Sequence, residues 1–403
     1  MTVRNGREFL SIPGPTTVPD AVLNAMHRPA VDIYSGRLVE LTAGLQADLK
    51  KIFRTDGSVY IYASNGHGAW EAAVTNVLSR GDKILVLESG RFAIGWGEMA
   101  SVIGVEVEVL KSTPRRAVDP AALEKRLRAD KAGTIKAVLV VQVDTASGVY
   151  NDIAAMGRVM RETGHPALLM VDTIASLGTM PFAMDEWNVD VAVSGSQKGL
   201  MLPPGLGFVA ATARAKAVHP KANLRTSYWD WTAREGKEHY QKYCGTPPEH
   251  LLFGLRKSLD MIIEEGLPGV FERHRILAEA VRRAVDVWAT GQLFALNIVE
   301  PAERANSVTT LRFTDGHDPE PLRAYCDRKL GVVLGVGIGD LNGRALRIAH
   351  MGHVNAPMIL GVLGVIEMAL GALAIPHGRG GSQAAIEWLG EQVPLPSAPA
   401  PAA

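Results

Sequence analysis

Short, largely apolar segments recur along the first half of this chain, in alternation with amphipathic stretches of helical length. Lys83 to Glu88, Ala137 to Val143, Ala167 to Val171, Val189 to Ser194 and Leu206 to Ala211 all read this way, with Tyr60 to Ala63 and Val105 to Leu110 as further strands. A strand with no polar alternation has both faces covered, and the common way to cover both is with helices that cross over between parallel neighbours. The helical stretches are Arg37 to Phe53, with Leu38, Leu41, Leu45 and Leu49 on one stripe, then Ala69 to Leu78, Pro120 to Ala129 and Asp152 to Thr163. The pattern specifies an α/β fold with a mostly parallel sheet.

The rhythm breaks after about Ala215. A polar, aromatic-rich stretch from Tyr228 to Tyr243 leads to Pro247-Pro248, and a long helical region follows from Leu251 to Ala289, interrupted at Gly266-Leu267-Pro268-Gly269. Ser307 to Phe313, Leu322 to Leu330, Val332 to Val336 and Ala345 to Ala349 then alternate strand and helix on a smaller scale, which predicts a compact α+β domain. At the start, Pro13, Gly14, Pro15 and Pro19 predict an extended arm rather than a regular element. The Pro- and Ala-rich stretch from Pro394 to Ala403 reads as a disordered tail. No internal repeat is present. With 403 residues, 47% of them hydrophobic, the chain has ample material for a large core.

Several function classes are set aside by composition. Lys and Arg total 42 and Asp and Glu total 42, and no basic stripe accompanies this balance, so a nucleic-acid footprint is not expected. The apolar run from Ala356 to Ile375 carries Glu367 and several glycines and reads as a buried helix, not a membrane span. Cys244 and Cys326 are too few for a disulfide framework, and Met1 to Phe9 lacks the apolar stretch of a signal peptide. The expected setting is the cytoplasm. No cluster of His, Cys and carboxylate has the spacing of a metal site.

The chemistry-bearing residues sit at strand ends. Ser194-Gly195-Ser196-Gln197-Lys198-Gly199-Leu200 puts a lysine among small residues just after an apolar strand, where its amine can reach a cofactor carbonyl. A Schiff base needs that amine uncharged, and burial or a neighbouring cation favours this state. Asp172 ends the strand Ala167 to Val171, where open α/β sheets bind ligands, and could pair with a protonated pyridine nitrogen or simply cap a helix. Ser64-Asn65-Gly66-His67-Gly68 precedes a helix, and such a loop frees backbone N–H groups for a phosphate. The later run Gly335-Val336-Gly337-Ile338-Gly339 has no Rossmann context and reads as a flexible loop near the site. Arg347, in Leu346-Arg347-Ile348-Ala349, demands an anion: either a substrate carboxylate or an internal salt bridge.

Taken together, these segments resemble the fold-type I, class V aminotransferases, most closely their serine–glyoxylate and alanine–glyoxylate group. The resemblance runs from Pro13-Gly14-Pro15 to about Met368 and rests on Gly66-His67 with Ala69 and Glu71, on Val171-Asp172-Thr173-Ile174-Ala175-Ser176-Leu177-Gly178, and on Ser194 to Gly199. It implies pyridoxal 5'-phosphate as cofactor and Lys198 as the catalytic residue that carries it and shuttles the α-proton. Asp172 would bind the pyridine nitrogen, Phe92 (or Trp96, a turn later) would stack on the ring, Ile174 would pack against the opposite face, and Thr145 would lie near the phenolic oxygen. Gly66, His67 and Gln197 would hold the phosphate, completed by Tyr243 and Thr246 of a neighbouring subunit in a homodimer with composite sites. Arg347 would clamp the substrate carboxylate, with the backbone around Gly14 nearby. The implied fold has a large domain with a seven-stranded sheet over residues 21–280 and a small C-terminal domain over 281–390. Residues 1–20 form an arm that joins the small domain, and 391–403 form the tail.

The implied reaction moves an amino group between a small amino acid, serine or alanine foremost, and glyoxylate or another small 2-oxoacid. Departures from the family pattern lie close to the expected site: Gln142-Val143-Asp144-Thr145 replaces its usual His-x-Glu stretch, Trp229 and Trp231 precede the second half, and Cys244 follows Tyr243. They leave room for an acidic donor such as aspartate, for which Arg37 could be a second cation. The same fold and lysine also support lyases and desulfurases, and the non-enzymatic alternative is a sensor or scaffold.

Overall fold

The computed structural model describes residues 3–393, so the tail reading falls largely outside the described residues. The chain opens with β1 (Phe9–Ser11), α1 (Asp20–Met26) and α2 (Arg37–Phe53). Then come β2 (Ser58–Ala63), α3 (Gly66–Val77), β3 (Lys83–Leu87), α4 (Arg91–Val102), β4 (Glu106–Leu110), α5 (Pro120–Ala129) and β5 (Ile135–Val141). A two-stranded hairpin, β6 (Val143–Asp144) and β7 (Val149–Tyr150), precedes α6 (Ile153–Thr163), β8 (Leu168–Asp172), β9 (Val191–Gly195) and β10 (Leu206–Ala211). These strands form a seven-stranded sheet in the order β2-β10-β9-β8-β5-β3-β4, parallel except where β10 runs against both of its neighbours.

Strands β8, β9 and β10 are buried at every position, as continuous apolar runs require. Two hydrophobic clusters cover the sheet. One contains Leu38, Leu45 and Leu49 of α2, and the other contains Trp70 of α3 and Trp96 of α4. The α2 stripe is the sequence periodicity made physical: one face is sealed, while Lys50 and Lys51 lie in the last turn, where cations favour the helix dipole.

After α7 (Ala213–Val218) and α8 (Trp231–Arg234), the long helical region splits into α9 (Glu249–Glu265) and α10 (Leu267–Trp288) at Gly266, whose φ of 77° breaks the helix. Helix α10 is continuous through position 280, with Val270 in the large-sheet core and Leu277, Val281 and Trp288 in a separate core. That second core is built on β11 (Phe294–Leu296), β12 (Val308–Phe313), α11 (Glu320–Leu330), β13 (Val332–Val336), β14 (Ala345–Ala349), α12 (Ala356–Ala372) and α13 (Gly381–Gln392). Its five strands are ordered β1-β13-β14-β12-β11.

Three sequence expectations need correction. The arm is not wholly irregular: its Phe9–Ser11 stretch pairs in parallel with β13, Phe9 opposite Val332 and Ser11 opposite Leu334. The glycine run at 335–339 is not a loop throughout. Gly335 and Val336 belong to β13, and a Cβ at Gly335 would press against Pro13 at 2.8 Å and Arg347 at 3.0 Å, so close packing, not mobility, accounts for that glycine. Helices α1, α4, α7, α8 and α13 are not among the helices the sequence predicts. In α4 the glycines interrupt the apolar period, and Gly97 is small because a Cβ there would lie 2.9 Å from Val86. In the apolar helix α12, Glu367 accepts hydrogen bonds from the backbone N–H groups of Gly380, Gly381 and Ser382 and so fastens the start of α13. Among the described residues no helix is long and apolar enough to cross a membrane.

Candidate active site

The parallel strands β5, β8 and β9 end together, and a cavity of about 220 Å³ opens beyond them. This is the crevice at the carboxyl ends of the strands where open α/β sheets bind ligands. Gly14, Gly66, His67, Phe92, Thr145, Asp172, Ile174, Gln197 and Lys198 all line it, so most of the residues singled out in the sequence converge here.

Asp172 closes β8 and is 3% exposed. Its Oδ1 accepts the Ile174 backbone N–H at 2.6 Å, and its Oδ2 accepts the indole N–H of Trp70 at 2.8 Å. Burial pushes its carboxyl up to about 7 even against those two bonds. A carboxylate so deprived of water is stabilised by a cation placed against it, such as a protonated ring nitrogen. Lys198 follows β9 and is 9% exposed, its Nζ donating to the Pro13 carbonyl. Burial and then the Arg347 charge hold its ammonium down to about 8, while Asp172 acts the other way. An amine in that range has an appreciable uncharged fraction near neutrality, which nucleophilic chemistry requires.

The arm is pinned over this lysine. Thr16 donates its backbone N–H to the Gln197 carbonyl at 3.1 Å and its hydroxyl to the Lys198 carbonyl at 3.2 Å. Gly14, at φ 105°, has no room for a Cβ, which would overlap Lys198 Nζ. At the other end of the cavity a Cβ on Gly66 would overlap Ile174, and Gln197 Oε1 is buried without a hydrogen-bond partner among the described residues. Helix α3 starts there, but its first turn is not free as expected. Asn65 is the N-cap and accepts from the N–H groups of His67 at 3.1 Å and Gly68 at 3.2 Å. The imidazole of His67 is held below its usual range, mainly by burial and then by the charges of Arg91 and Lys198.

The structure separates the two aromatic candidates. Phe92 lines the cavity, whereas Trp96 is fully buried and stacks on Trp70 with ring centroids 5.9 Å apart. Trp70 itself was missed, because a tryptophan inside an apolar helical period reads as core. Asp144 was noted only as a departure from the family pattern. It accepts the N–H groups of Phe92 at 2.9 Å and Ala93 at 3.2 Å, and so ties the start of α4 to the hairpin that carries Thr145. Gly90 leaves the space for it.

Arg347 stands just outside the cavity lining and is 8% exposed. It donates to the carbonyls of Val336 at 2.6 Å and Thr145 at 3.0 Å. Burial lowers it to about 10, and Asp144 alone opposes this, from beyond ion-pair distance. No carboxylate pairs with Arg347 among the described residues, so the internal salt bridge allowed by the sequence is not what holds it.

Tyr243 and Thr246 are not at the cavity of their own chain. Tyr243 is buried with its hydroxyl against Thr42 Oγ1 at 2.8 Å, and Thr246 is exposed. Arg37 is exposed and lies 5.4 Å from the Phe253 ring centroid, away from the cavity. Cys326 is packed in the second core and Cys244 is exposed, and neither lines the cavity, so neither is placed as a nucleophile. No group of His, Cys and carboxylates suited to a metal occurs among the described residues.

The cavity therefore has a lysine of lowered basicity, a buried carboxylate with no ion-pair partner among the described residues, the Gln197 amide beside Gly66 at the start of α3, and Phe92 and Ile174 in its lining. These features fit pyridoxal phosphate. Comparison with known proteins agrees. Residues 9–340 match the class-V aminotransferase family. The chain is 38% identical to a serine–glyoxylate aminotransferase of Methylorubrum extorquens, covering 92% of each protein. It is 37% identical to an L-aspartate–glyoxylate aminotransferase of Paracoccus denitrificans, covering 93% of this chain and 94% of the relative. The solved pyridoxamine–pyruvate aminotransferase of Mesorhizobium loti superposes with a TM-score of 0.89 at 26% identity, over 98% of this chain and all of that one.

Proposed function

Since the chain belongs to the class-V aminotransferases, a pyridoxal-phosphate-dependent family, we propose that it transfers an amino group from a small amino acid, serine or alanine foremost, to glyoxylate or another small 2-oxoacid. The observation that carries this reading is the buried, unpaired Arg347 beside a cavity that holds both Lys198 and Asp172. Bound pyridoxal phosphate supplies an electron sink for the substrate's α-carbon. The rest of the work belongs to this chain. Arg347 holds the substrate carboxylate and fixes the α-carbon within reach of Lys198, whose amine takes and returns the α-proton. Asp172 holds a proton on the ring nitrogen, and Phe92 and Ile174 confine the ring. Gly66, His67 and Gln197 receive the phosphate.

A small neutral donor is favoured by the serine–glyoxylate relative, and among the described residues no arginine lines the cavity. The aspartate alternative draws on the Paracoccus relative and on a structural likeness to a solved aspartate aminotransferase at 28% identity. We further propose a homodimer in which Thr246, exposed here, completes the neighbour's phosphate site; Tyr243, expected to share that role, has its hydroxyl buried against Thr42 and would have to leave it to do so. The proposed setting is the cytoplasm, which suits two unpaired cysteines. The deciding experiment is a donor panel. Serine, alanine and aspartate are each paired with glyoxylate and glycine formation is followed; serine or alanine is expected to lead by at least about tenfold in kcat/KM. A lead for aspartate would move the assignment to an acidic donor.

A further inference from the structure

A second cavity, of about 670 Å³, lies between the two sheets on the far side of the hairpin that carries Thr145. Its charge is unusual. Arg91, Arg115, Arg116, Arg312 and Arg344 all line it. Two of these are neutralised: Arg91 pairs with Glu98 at 2.6 Å, and Arg116 pairs with Glu303 at 2.8 Å. The other three form no ion pair among the described residues. Arg115 gives two of its five N–H donors to the carbonyls of Asn297 at 2.7 Å and Leu296 at 3.0 Å, from a backbone held at φ 64°. Arg312 on β12 and Arg344 just before β14 are neighbours, because Phe313 donates its N–H to the Arg344 carbonyl at 2.8 Å. Glu88 and Asp340 also line the cavity, but neither forms an ion pair with an arginine among the described residues.

Arg312 is close enough to Arg115 for their repulsion, added to burial, to lower Arg115. Unneutralised guanidinium groups that converge from the small sheet and the β4–α5 loop are stabilised by an oxyanion placed between them, and their planar forks match phosphate and carboxylate. We propose that this cavity binds a small, multiply charged oxyanion through Arg115, Arg312 and Arg344. The site is distinct from the active site yet shares a wall with it. Ala146 and Ser147 line it while Thr145 lines the active-site cavity, and Arg91 lines it while Phe92 faces the cofactor slot. An anion here bridges the small sheet, through Arg312 and Arg344, to the loop between β4 and α5 that bears Arg115.

The test is calorimetric titration of the cofactor-loaded enzyme at low ionic strength with inorganic pyrophosphate and, separately, with citrate. One saturable site per chain is expected, weakening as salt is added. Arg312→Gln and Arg344→Gln should each weaken binding by at least about tenfold, the loss for one charge-assisted contact. Arg344 is an exposed loop residue, so its variant keeps the fold even if the strand variant does not. Arg347→Gln should leave the affinity unchanged. Binding of pyrophosphate alone or of citrate alone assigns a phosphate or a carboxylate source. No binding of either anion, binding unaltered in both cavity variants, or binding abolished by Arg347→Gln would each overturn the proposal.

Discussion

Replacing Arg347 by glutamine separates a substrate clamp from a structural ion. Two of the guanidinium's N–H groups go to the Val336 and Thr145 carbonyls, and no carboxylate pairs with it among the described residues. The remaining donors are left for a ligand. Two charge-assisted bonds to a carboxylate are worth about 3–6 kcal/mol, so kcat/KM should fall by about 10²–10⁴-fold. Donor and acceptor both bring a carboxylate to the same arginine, so the loss should be similar for each substrate. It should appear mostly in KM, since the clamp holds ground and transition states alike. Stability should hardly change. Breaking a buried ion pair costs about 3–5 kcal/mol, but here the loss of two carbonyl bonds is offset by removal of an unpaired buried charge. The melting temperature should stay within about 4 °C of wild type. Steady-state kinetics on both substrates, with melting curves of the same preparations, supply the readout. A variant with kcat/KM within a few-fold of wild type, or one crippled because it unfolds, would refute the clamp.

The raised Asp172 carboxyl makes the cofactor-free protein pH-sensitive. Its folded value of about 7 lies above the ordinary 3.8, so this contribution is fully present below about pH 4 and lost as pH rises through about 7. The difference is on the order of 4 kcal/mol, and Asp172→Asn should abolish that slope in urea melts while also abolishing transamination. Because the Lys198 ammonium is held at about 8, the rate of pyridoxal phosphate loading should climb between pH 7 and 9 and then level off, as rapid-mixing absorbance would record; a climb continuing past pH 10 would mean an ordinary lysine. Gly14→Ala should block loading, because the added methyl overlaps Lys198 Nζ at a backbone angle that alanine rarely adopts. Unimpaired loading of that variant would show that the arm moves aside.

What the sequence revealed follows strand ends. Asp172 and Lys198 each close or follow an apolar run, and the end of a parallel strand is a place where position alone carries chemical meaning. Arg347 stood out because an arginine in an apolar strand must find an anion, but sequence spacing could not say which one. The absence of any paired carboxylate among the described residues made that choice. Trp70 stayed hidden because its ring is core on one side, against Trp96, and donor to Asp172 on the other. Its one signal was its place a turn into the helix that follows the phosphate-side loop. The N-cap role of Asn65 was legible in principle, since Asn before a helix favours it, and it changes how the phosphate end is read. Arg115, Arg312 and Arg344 are far apart along the chain and meet only through the pairing of β12 with β14 and the packing of the β4–α5 loop against them, so no periodicity could bring them together.

The central claim is that Lys198 and its neighbours exchange an amino group rather than eliminate one. It is tested most directly by a single turnover: cofactor-loaded enzyme is mixed with L-serine, and in parallel with L-alanine, and no oxoacid is added. The account predicts that at least one donor yields a single equivalent of its own oxoacid per active site and then stops, with one equivalent of glycine appearing when glyoxylate follows. Continuous release of ammonia without glyoxylate, or no oxoacid from any donor, would contradict it.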